Sequence, residues 1–242
     1  MPTLNNQNRC WSVVPAAGSG SRMQAVMPKQ YLTLNNKAVI ELTLDKLLHL
    51  SDIAGVVVCL ARDDSRFDHL AIAKHPRIFK TVGGAERADS VLNGLRHLQS
   101  LPDSHDCDWV MVHDAARPCV SHPALARLLG HCRKTGTGAI LASPVADTLK
   151  RQQTNSLCVS ETVSREGLWQ AHTPQCFRLG ELCAALEAAA ASKVQITDEA
   201  SAIEYAGGAV GLIEDSRDNI KITRPEDLAL AGFILSQEAL NW

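Results

Sequence analysis

The sequence predicts an α/β protein whose core is a Rossmann-like, doubly wound and mostly parallel sheet of the nucleotidyltransferase type. Short, almost continuously apolar runs recur along the chain, which is the pattern of parallel strands covered on both faces. Segments with apolar residues at helical spacing lie between these runs, so strands and helices alternate. The 242 residues are enough for one substantial core. Because no repeat or linker divides them, we predict a single domain over residues 1–242.

The predicted elements follow one another in a regular order. The strand runs are WSVV, GVVVCL, RIFKTV, DWVMVHD and TGAILASPV. Helical spacing is found in Val91, Leu92, Leu95 and Leu98, and again in Leu125, Leu128 and Leu129 after a cap at Ser121. Thr223 and Glu226 lie three residues apart with Pro225 in the first turn, a capping box that opens the last helix.

One segment, from about residue 144 to residue 175, breaks this order. It is polar, and its alternation is typical of a hairpin with a polar tip rather than of a helix. An insertion of this length in a compact domain is usually functional or disordered. Its threonines and alternating valines favour order, so we predict a protruding β arm.

Composition excludes several classes of protein. The chain has 24 basic and 26 acidic residues and a formal net charge of −2, so no global field recruits nucleic acid or an anionic membrane. Its eight cysteines form no CxxC pair, which favours buried reduced thiols and a cytoplasmic location. The first residues lack the pattern of a signal peptide, and no apolar run is long enough to span a membrane. We therefore expect neither a nucleic acid nor a membrane as a partner.

The loop after the first strand carries the clearest chemical signal. It reads PAAGSGSRMQAVMPKQ over residues 15–30. It lacks the third glycine of a dinucleotide fingerprint, because Met23 stands there, and the chain has no Walker string. Gly18 and Gly20 let backbone amides approach phosphate oxygens, while Arg22 and Lys29 supply cations. The loop suits a triphosphate.

Several further motifs accompany this loop in a fixed order. PAAGSGSRM and PKQY are followed by GGAERADSV, VHDAARP, TPQ, TDEAS and DNIKITRPEDL. Together they resemble the 2-C-methyl-D-erythritol 4-phosphate cytidylyltransferase family of the non-mevalonate isoprenoid pathway. The resemblance implies a Rossmann-like nucleotidyltransferase core, the use of CTP with Mg²⁺ or another divalent cation, and a homodimer formed through a β arm. It also implies that a polyol phosphate attacks the α-phosphorus of CTP and expels pyrophosphate, without a covalent intermediate.

The resemblance assigns residues to the chemical step and to the metal. The residues implied as catalytic are Arg22, Lys29, Asp114 and Lys221. Asp114 ends the strand WVMVHD, which places it at the ligand edge of the sheet, and a single carboxylate can suffice when phosphates supply the other Mg²⁺ ligands. Asp218 is a candidate second metal ligand, although a turn-stabilising role fits it equally well. We interpret His113 as structural.

The segment GGAERADSV should form the cytosine pocket. The residues implied in nucleotide binding are Pro15, Ala16, Ala17, Gly18, Gly84, Ser90 and Ala115. Arg87 and Asp89 either take part or form an internal salt bridge with each other. Ala85 stands where relatives carry aspartate, so the preference for the pyrimidine rests more on backbone groups.

The second substrate is assigned to the arm and to the core together. The residues implied are Arg117, Thr148, Arg165, Thr173 and Thr197. TDEAS is also a plain helix amino terminus, which is the alternative interpretation of Thr197. Ser164 replaces an aspartate of some relatives and leaves the support of Arg165 open.

Other functions remain as alternatives. A cytidylyltransferase for another polyol phosphate, such as ribitol 5-phosphate, would share the CTP motifs. A nicotinamide oxidoreductase is disfavoured by Met23 and by the lack of an evident acid after VVVCL. A non-catalytic nucleotide sensor would not need Arg22, Lys29, Asp114 and Lys221 together.

Overall fold

The computed structural model describes residues 9–18 and 27–240, without the side chains of residues 239 and 240. The strands are β1 Cys10–Pro15, β2 Thr33–Leu34, β3 Lys37–Ala38, β4 Ile53–Leu60, β5 Ile78–Val82, β6 Trp109–Val112, β7 Ala139–Pro144, β8 Leu149–Gln152, β9 Val159–Val163, β10 Trp169–Arg178 and β11 Gly211–Glu214. The helices are α1 Val39–Leu48, α2 Arg87–Gln99, α3 His122–Thr135, α4 Leu179–Ala191, α5 Glu199–Tyr205 and α6 Pro225–Leu240.

A seven-stranded sheet organises the molecule and confirms the predicted fold class. Its strand order is β11–β7–β10–β6–β1–β4–β5. The neighbours of β1 are both parallel to it, and only β10 runs antiparallel to the strands on either side. The carboxyl ends of the parallel strands therefore meet at one edge, where ligands bind in sheets of this kind.

The sheet is covered on both faces, as the apolar strand runs predicted. Along β1 the side chains alternate, so that Cys10 and Val14 join one apolar cluster while Trp11 and Val13 join the other. Helices α1 and α3 cover the first face, and helices α2, α4 and α5 cover the second. No helix within residues 9–18 and 27–240 is long and apolar enough to cross a membrane.

Two predicted helix starts have different outcomes. Ser121 caps α3 as expected, since its Oγ accepts a hydrogen bond from the Ala124 amide at 3.3 Å. The last helix begins at Pro225, but Glu226 does not close the predicted capping box. The third helical residue is Asp227, and its carboxylate accepts bonds from the amides of Thr223 and Arg224, both at 2.8 Å. The prediction was one residue out of register.

The arm is shorter than predicted. Strands β8 and β9 pair only with each other and form an antiparallel hairpin. The last part of the predicted insertion belongs instead to β10, which lies between β6 and β7 in the central sheet. The polar sequence hid this strand because its polar residues His172, Thr173 and Gln175 are buried and hydrogen-bonded.

Candidate active site

Several of the predicted site residues lie at the carboxyl ends of β1 and β6. These strands are adjacent and parallel, and Val13 pairs with Val112. The chain leaves β1 through residues 16–18 and leaves β6 through His113 and Asp114. The parallel register thus brings the glycine loop and the predicted metal ligand to the same edge of the sheet.

Asp114 is the centre of a buried cluster of charges. Its Oδ1 lies 3.0 Å from Arg87 Nε, and its Oδ2 lies 2.7 Å from Lys221 Nζ and 3.6 Å from Arg117 Nε. Burial by itself would raise the pKa of Asp114, but the charges of Arg87, Lys221 and Arg117 outweigh burial and hold this pKa well below its usual range. Asp114 is therefore a carboxylate at any physiological pH.

Glu199 is a member of the cluster that sequence reasoning missed. Its two oxygens accept a bidentate pair from the Arg87 guanidinium, at 2.7 and 3.0 Å, and the residue is buried at the start of α5. Of the two alternatives left open for Arg87 and Asp89, the salt bridge between them is not formed, since Asp89 instead accepts from the Glu86 amide at the start of α2. The acids in TDEAS were the only available signal for Glu199.

The cluster as a whole is suited to anions. Arg87, Arg117 and Lys221 bring three positive charges, and Asp114 and Glu199 bring two negative ones, which leaves one positive charge. Lys221 is the most accessible of these cations, with a third of its side chain exposed. An anion that approaches this edge finds fixed donors instead of mobile water.

His113 and Thr173 hold the backbone of Asp114 from the interior of the protein. The Thr173 hydroxyl lies 3.0 Å from the Asp114 amide and 3.0 Å from His113 Nδ1, and His113 Nε2 lies 3.0 Å from the Arg117 carbonyl. A carbonyl only accepts, so Nε2 carries the ring proton and Nδ1 accepts from Thr173. Burial lowers the pKa of His113 to about 4, and its place in the interior agrees with the structural role predicted for it.

A cavity of about 390 Å³ opens beside Lys221. Its walls come from β10, from the start of the arm and from the segment between β11 and α6, and include Arg117, Asp147, Gln170, His172, Arg217 and Lys221. Three of these residues are cationic. The cavity has the size and charge for a small phosphorylated polyol.

The glycine loop and the GGAERADSV segment pack together. A Cβ on Gly83 would lie 2.6 Å from Ala17 Cβ, so only glycine permits this contact. The Gly84 amide donates to Ser90 Oγ, which in turn donates to the Glu86 carbonyl, both at 3.0 Å. The two predicted nucleotide-binding segments therefore adjoin, while the Ser90 hydroxyl orders the segment from within.

Lys29 reaches the same region from the other end of the glycine loop. Its Nζ donates to the Ile222 carbonyl at 2.8 Å, next to Lys221. The following side chain, Gln30, donates to the Ala16 carbonyl at 2.8 Å and so holds the start of the loop. Gly20 and Arg22 lie outside the described residues.

The remaining predicted residues are not gathered at Asp114. Thr148 and Arg165 are exposed on the arm, and Thr197 is exposed just before α5. The cap of α5 is Asp198, whose Oδ1 accepts from the Ser201 amide at 3.0 Å. Asp218 lines a separate cavity with Cys119 and Phe233. Thr173 is buried against His113 rather than placed on a cavity wall.

The donor set fits only a lightly held metal ion. Within residues 9–18 and 27–240 no three His, Cys, Asp or Glu side chains are grouped to hold a metal. Asp114 offers a carboxylate at this edge, and both of its oxygens are engaged by cations. Such a site fits Mg²⁺ that takes most of its ligands from phosphates and water.

The fold and the anion site together define an α/β nucleotidyltransferase. A family model described as 2-C-methyl-D-erythritol 4-phosphate cytidylyltransferase matches residues 10–237. The chain belongs to this family, and the resemblance seen in its motifs is confirmed.

Individual relatives agree with this assignment. The enzyme of the same name from Vibrio vulnificus (strain YJ016) is 50% identical over 227 residues, which cover 94% of each chain. That from Escherichia coli O127:H6 is 49% identical over 226 residues, 93% of each chain. The crystal structure of the Francisella tularensis enzyme superimposes with a TM-score of 0.81 at 33% identity and covers 93% of this chain and 99% of its own.

Proposed function

We propose that the protein transfers a cytidylyl group from CTP to 2-C-methyl-D-erythritol 4-phosphate and releases pyrophosphate. The observation that carries the proposal is the Asp114 cluster, an anion site with Lys221 and Arg117 at the carboxyl edge of the sheet, in a chain of this family. The cavity beside Lys221 takes the polyol phosphate, and the adjoining glycine segments take the nucleotide.

The chain's task in this reaction is alignment and charge neutralisation. The attacking phosphate is already an anion near neutral pH, so no general base and no covalent nucleophile are needed. Lys221 and Arg117 hold this phosphate, while Lys29 and Arg22 hold the triphosphate and stabilise the pyrophosphate as it leaves. The contact of Lys29 with the Ile222 carbonyl keeps Lys29 next to Lys221.

Mg²⁺ is the proposed cofactor, and Asp114 is the residue that would hold it. A bound Mg²⁺ neutralises phosphate charge and orients the phosphate oxygens. Each Asp114 oxygen accepts one bond, from Arg87 or from Lys221, and has a second lone pair that it would offer to the ion. Asp218 remains a proposed second ligand, although its side chain lies in the neighbouring cavity.

The base is selected by the backbone around Gly83 and Gly84. Cytosine presents an exocyclic amine where uracil presents a carbonyl, so backbone carbonyls satisfied by CTP would face a second acceptor in UTP. An unsatisfied group of this kind costs about 1 to 3 kcal/mol. The Ala85 side chain has no polar atom, so the discrimination between the bases depends on backbone groups.

The protein is proposed to work in the cytoplasm as a homodimer. The eight cysteines are free and six of them are buried, which suits a reducing compartment. The exposed hairpin of β8 and β9, with Thr148 and Arg165 next to it, is the proposed dimer arm.

The proposal is tested by pyrophosphate release with CTP and Mg²⁺ against a panel of polyol phosphates. We expect the highest kcat/KM with 2-C-methyl-D-erythritol 4-phosphate, and a lower value when UTP replaces CTP. Preference for ribitol 5-phosphate would favour the alternative substrate. Equal values for CTP and UTP would contradict the base pocket, and no release with any member of the panel would contradict the activity.

A further inference from the structure

A network of buried polar side chains begins at the wall of the cavity, which His172 and Asn219 line. Asp215 Oδ2 accepts from His172 Nδ1 at 3.0 Å and from Asn219 Nδ2 at 2.7 Å. Asn219 Nδ2 also donates to the Thr173 carbonyl at 2.9 Å. His172, Asp215 and Asn219 are all buried. The network ties β10 to the segment that follows β11.

That segment, residues 215–222, carries Lys221 and is neither helix nor strand. Its backbone is anchored at both ends, where the Asp215 amide donates to the Ala142 carbonyl at 2.8 Å and the Ile222 amide donates to the Ala116 carbonyl at 2.9 Å. Between these anchors, the Asn219 carbonyl accepts from Arg117 Nη1. The network therefore holds the middle of the segment, from which both Arg117 and Lys221 are positioned.

We propose that His172, Asp215 and Asn219 are positioning residues, which hold residues 215–222 so that Lys221 and Arg117 meet the phosphate of the second substrate. The inference rests on the proposed function of the Lys221 cavity. The donors His172 Nδ1 and Asn219 Nδ2 are paired with Asp215 and the Thr173 carbonyl, while Asn219 Oδ1 has no partner within the described residues. Paired buried donors favour a single arrangement of the segment. Displacement of a phosphate-binding cation by about 1 Å is enough to reduce turnover substantially. His172 also lines the cavity itself, so its ring fixes one wall beside Lys221.

A different use of the same residues is excluded by burial. Ser143 Oγ lies 3.4 Å from His172 Nε2, which completes a Ser–His–Asp order of the kind found in hydrolases. Ser143 is only 2% exposed and is not part of the cavity wall, so a substrate cannot reach its hydroxyl. Ser143 is therefore a matched control rather than a nucleophile.

The test uses steady-state kinetics of the full-length protein with both substrates varied. His172→Leu keeps the side-chain bulk but removes the donor to Asp215. We expect it to lower kcat/KM for the polyol phosphate by about tenfold or more, while KM for CTP changes by less than about twofold. In His172→Asn the amide nitrogen lies as far along the side chain as Nδ1, so this variant should recover most of the loss. Ser143→Ala should match the wild type.

Each alternative outcome would overturn the positioning role. Wild-type kinetics for His172→Leu, an equal loss for both substrates, or no recovery in His172→Asn would each contradict it. If Ser143→Ala lost as much activity as His172→Leu, the Ser143 side of the ring would be the functional one.

A second variant covers the case in which His172→Leu does not fold. Asp215→Asn keeps the volume and one acceptor oxygen, and should also raise KM for the polyol phosphate selectively. An unchanged KM in this variant would contradict the proposal. A wild-type protein that is inactive with every polyol phosphate would refute both this proposal and the proposed function, whereas an active wild type with unaffected variants refutes the positioning role alone.

Discussion

At the scale of single residues, Asp114 is the group on which the others converge. It accepts from Arg87 and Lys221 and lies 3.6 Å from Arg117. We expect Asp114→Asn to lower kcat by about 100-fold or more, the usual cost of removing one charged group from a preorganised site. The variant should fold but melt at a lower temperature, because three buried or half-buried cations lose their shared carboxylate.

Glu199→Gln provides the matched control for Asp114→Asn. It also removes one buried carboxylate from Arg87, at 2.7 Å, but leaves the phosphate-facing pair of Asp114 and Lys221 intact. We expect a similar loss of melting temperature and a smaller loss of kcat. Unaltered Mg²⁺-dependent turnover in Asp114→Asn would remove Asp114 from the chemical step.

His113 makes stability depend on pH in a defined window. Burial lowers its pKa to about 4, from 6.5 for an ordinary histidine. Between these two values the unfolded chain binds a proton that the native protein does not. The free energy of unfolding should therefore fall as the pH is lowered through the window, by about 1.4 kcal/mol per pH unit in its middle.

Urea unfolding from about pH 7.5 to about pH 4.5 measures this dependence. The comparison is with His113→Gln, whose amide nitrogen lies where Nε2 lies and can still donate to the Arg117 carbonyl, but which does not titrate. The free energy of unfolding should change less steeply with pH in the variant, and the difference in slope is the contribution of His113. Parallel curves for the two proteins would show that the pKa of His113 is not lowered in the native protein.

Single residues also show what the sequence could and could not predict. The position of Asp114 was predictable because it lies two residues after an apolar strand, and a parallel strand ends at the ligand edge. The partner of Arg87 was not, because Glu199 is 112 residues away and only the tertiary structure brings the start of α5 close to the start of α2. Sequence spacing suggests local pairs such as Arg87 and Asp89. In the structure Arg87 pairs with Glu199, and Asp89 accepts from the Glu86 amide.

At the scale of elements, the strands were easier to predict than the segment around β10. The parallel strands are apolar on both faces, so their sequences are nearly continuous apolar runs that predict strands directly. In β10 the buried side chains include His172, Thr173 and Gln175, which sequence patterning treats as exposed. These residues are buried because each one has hydrogen-bond partners from another element. Such partners are invisible in sequence.

The start of α5 separates a structural role from a binding role. Asp198 caps the helix and also accepts a hydrogen bond from Gln175 Nε2 at 2.9 Å. The backbone amide of the exposed Thr197 donates a hydrogen bond to Ser201 Oγ at 3.2 Å. We expect Asp198→Ala to cost about 1 kcal/mol or more in the free energy of unfolding. Thr197→Val should leave stability within about 0.5 kcal/mol but raise KM for the polyol phosphate by about tenfold, as the loss of one hydrogen bond to a charged group would.

Thermal melts and substrate-dependent kinetics of the two variants decide between these roles. Loss of stability in Thr197→Val with normal kinetics would make Thr197 part of the cap. Normal kinetics together with normal stability would leave it without either role.

At the scale of the whole molecule, the hairpin of β8 and β9 is the element that the fold leaves unsupported. It pairs with no strand of the central sheet, and Leu157 and Val159 on it are largely exposed. An isolated two-stranded hairpin is marginally stable in water. We therefore expect a second copy of the chain to cover it, and in a symmetric dimer the exchange of arms would place Thr148 and Arg165 of each chain at the other chain's cavity.

Mixing two inactive variants tests whether the active site is shared. Lys29→Ala damages the core of a chain and Arg165→Ala damages its arm, so each homodimer should be nearly inactive. In a mixed dimer with exchanged arms, one site holds both lesions and the other holds neither. Random pairing in an equal mixture makes half of the dimers mixed, so activity should recover to about a quarter of the wild-type value per site. If Arg165 served its own chain, every site would carry a lesion and nothing would recover.

The reverse mixture gives the opposite ranking, so a general gain or loss of activity on mixing cannot mimic a shared site. Here the wild type is mixed in equal amounts with a chain that carries both Lys29→Ala and Arg165→Ala. With exchanged arms, both sites of a mixed dimer are damaged, and only the wild-type dimers contribute, about a quarter of all sites. With arms that serve their own chain, each mixed dimer keeps one intact site, and about half of all sites remain active. Activity that stays at half after verified exchange would rule out the shared site, because only a chain that uses its own arm leaves a mixed dimer with an intact site.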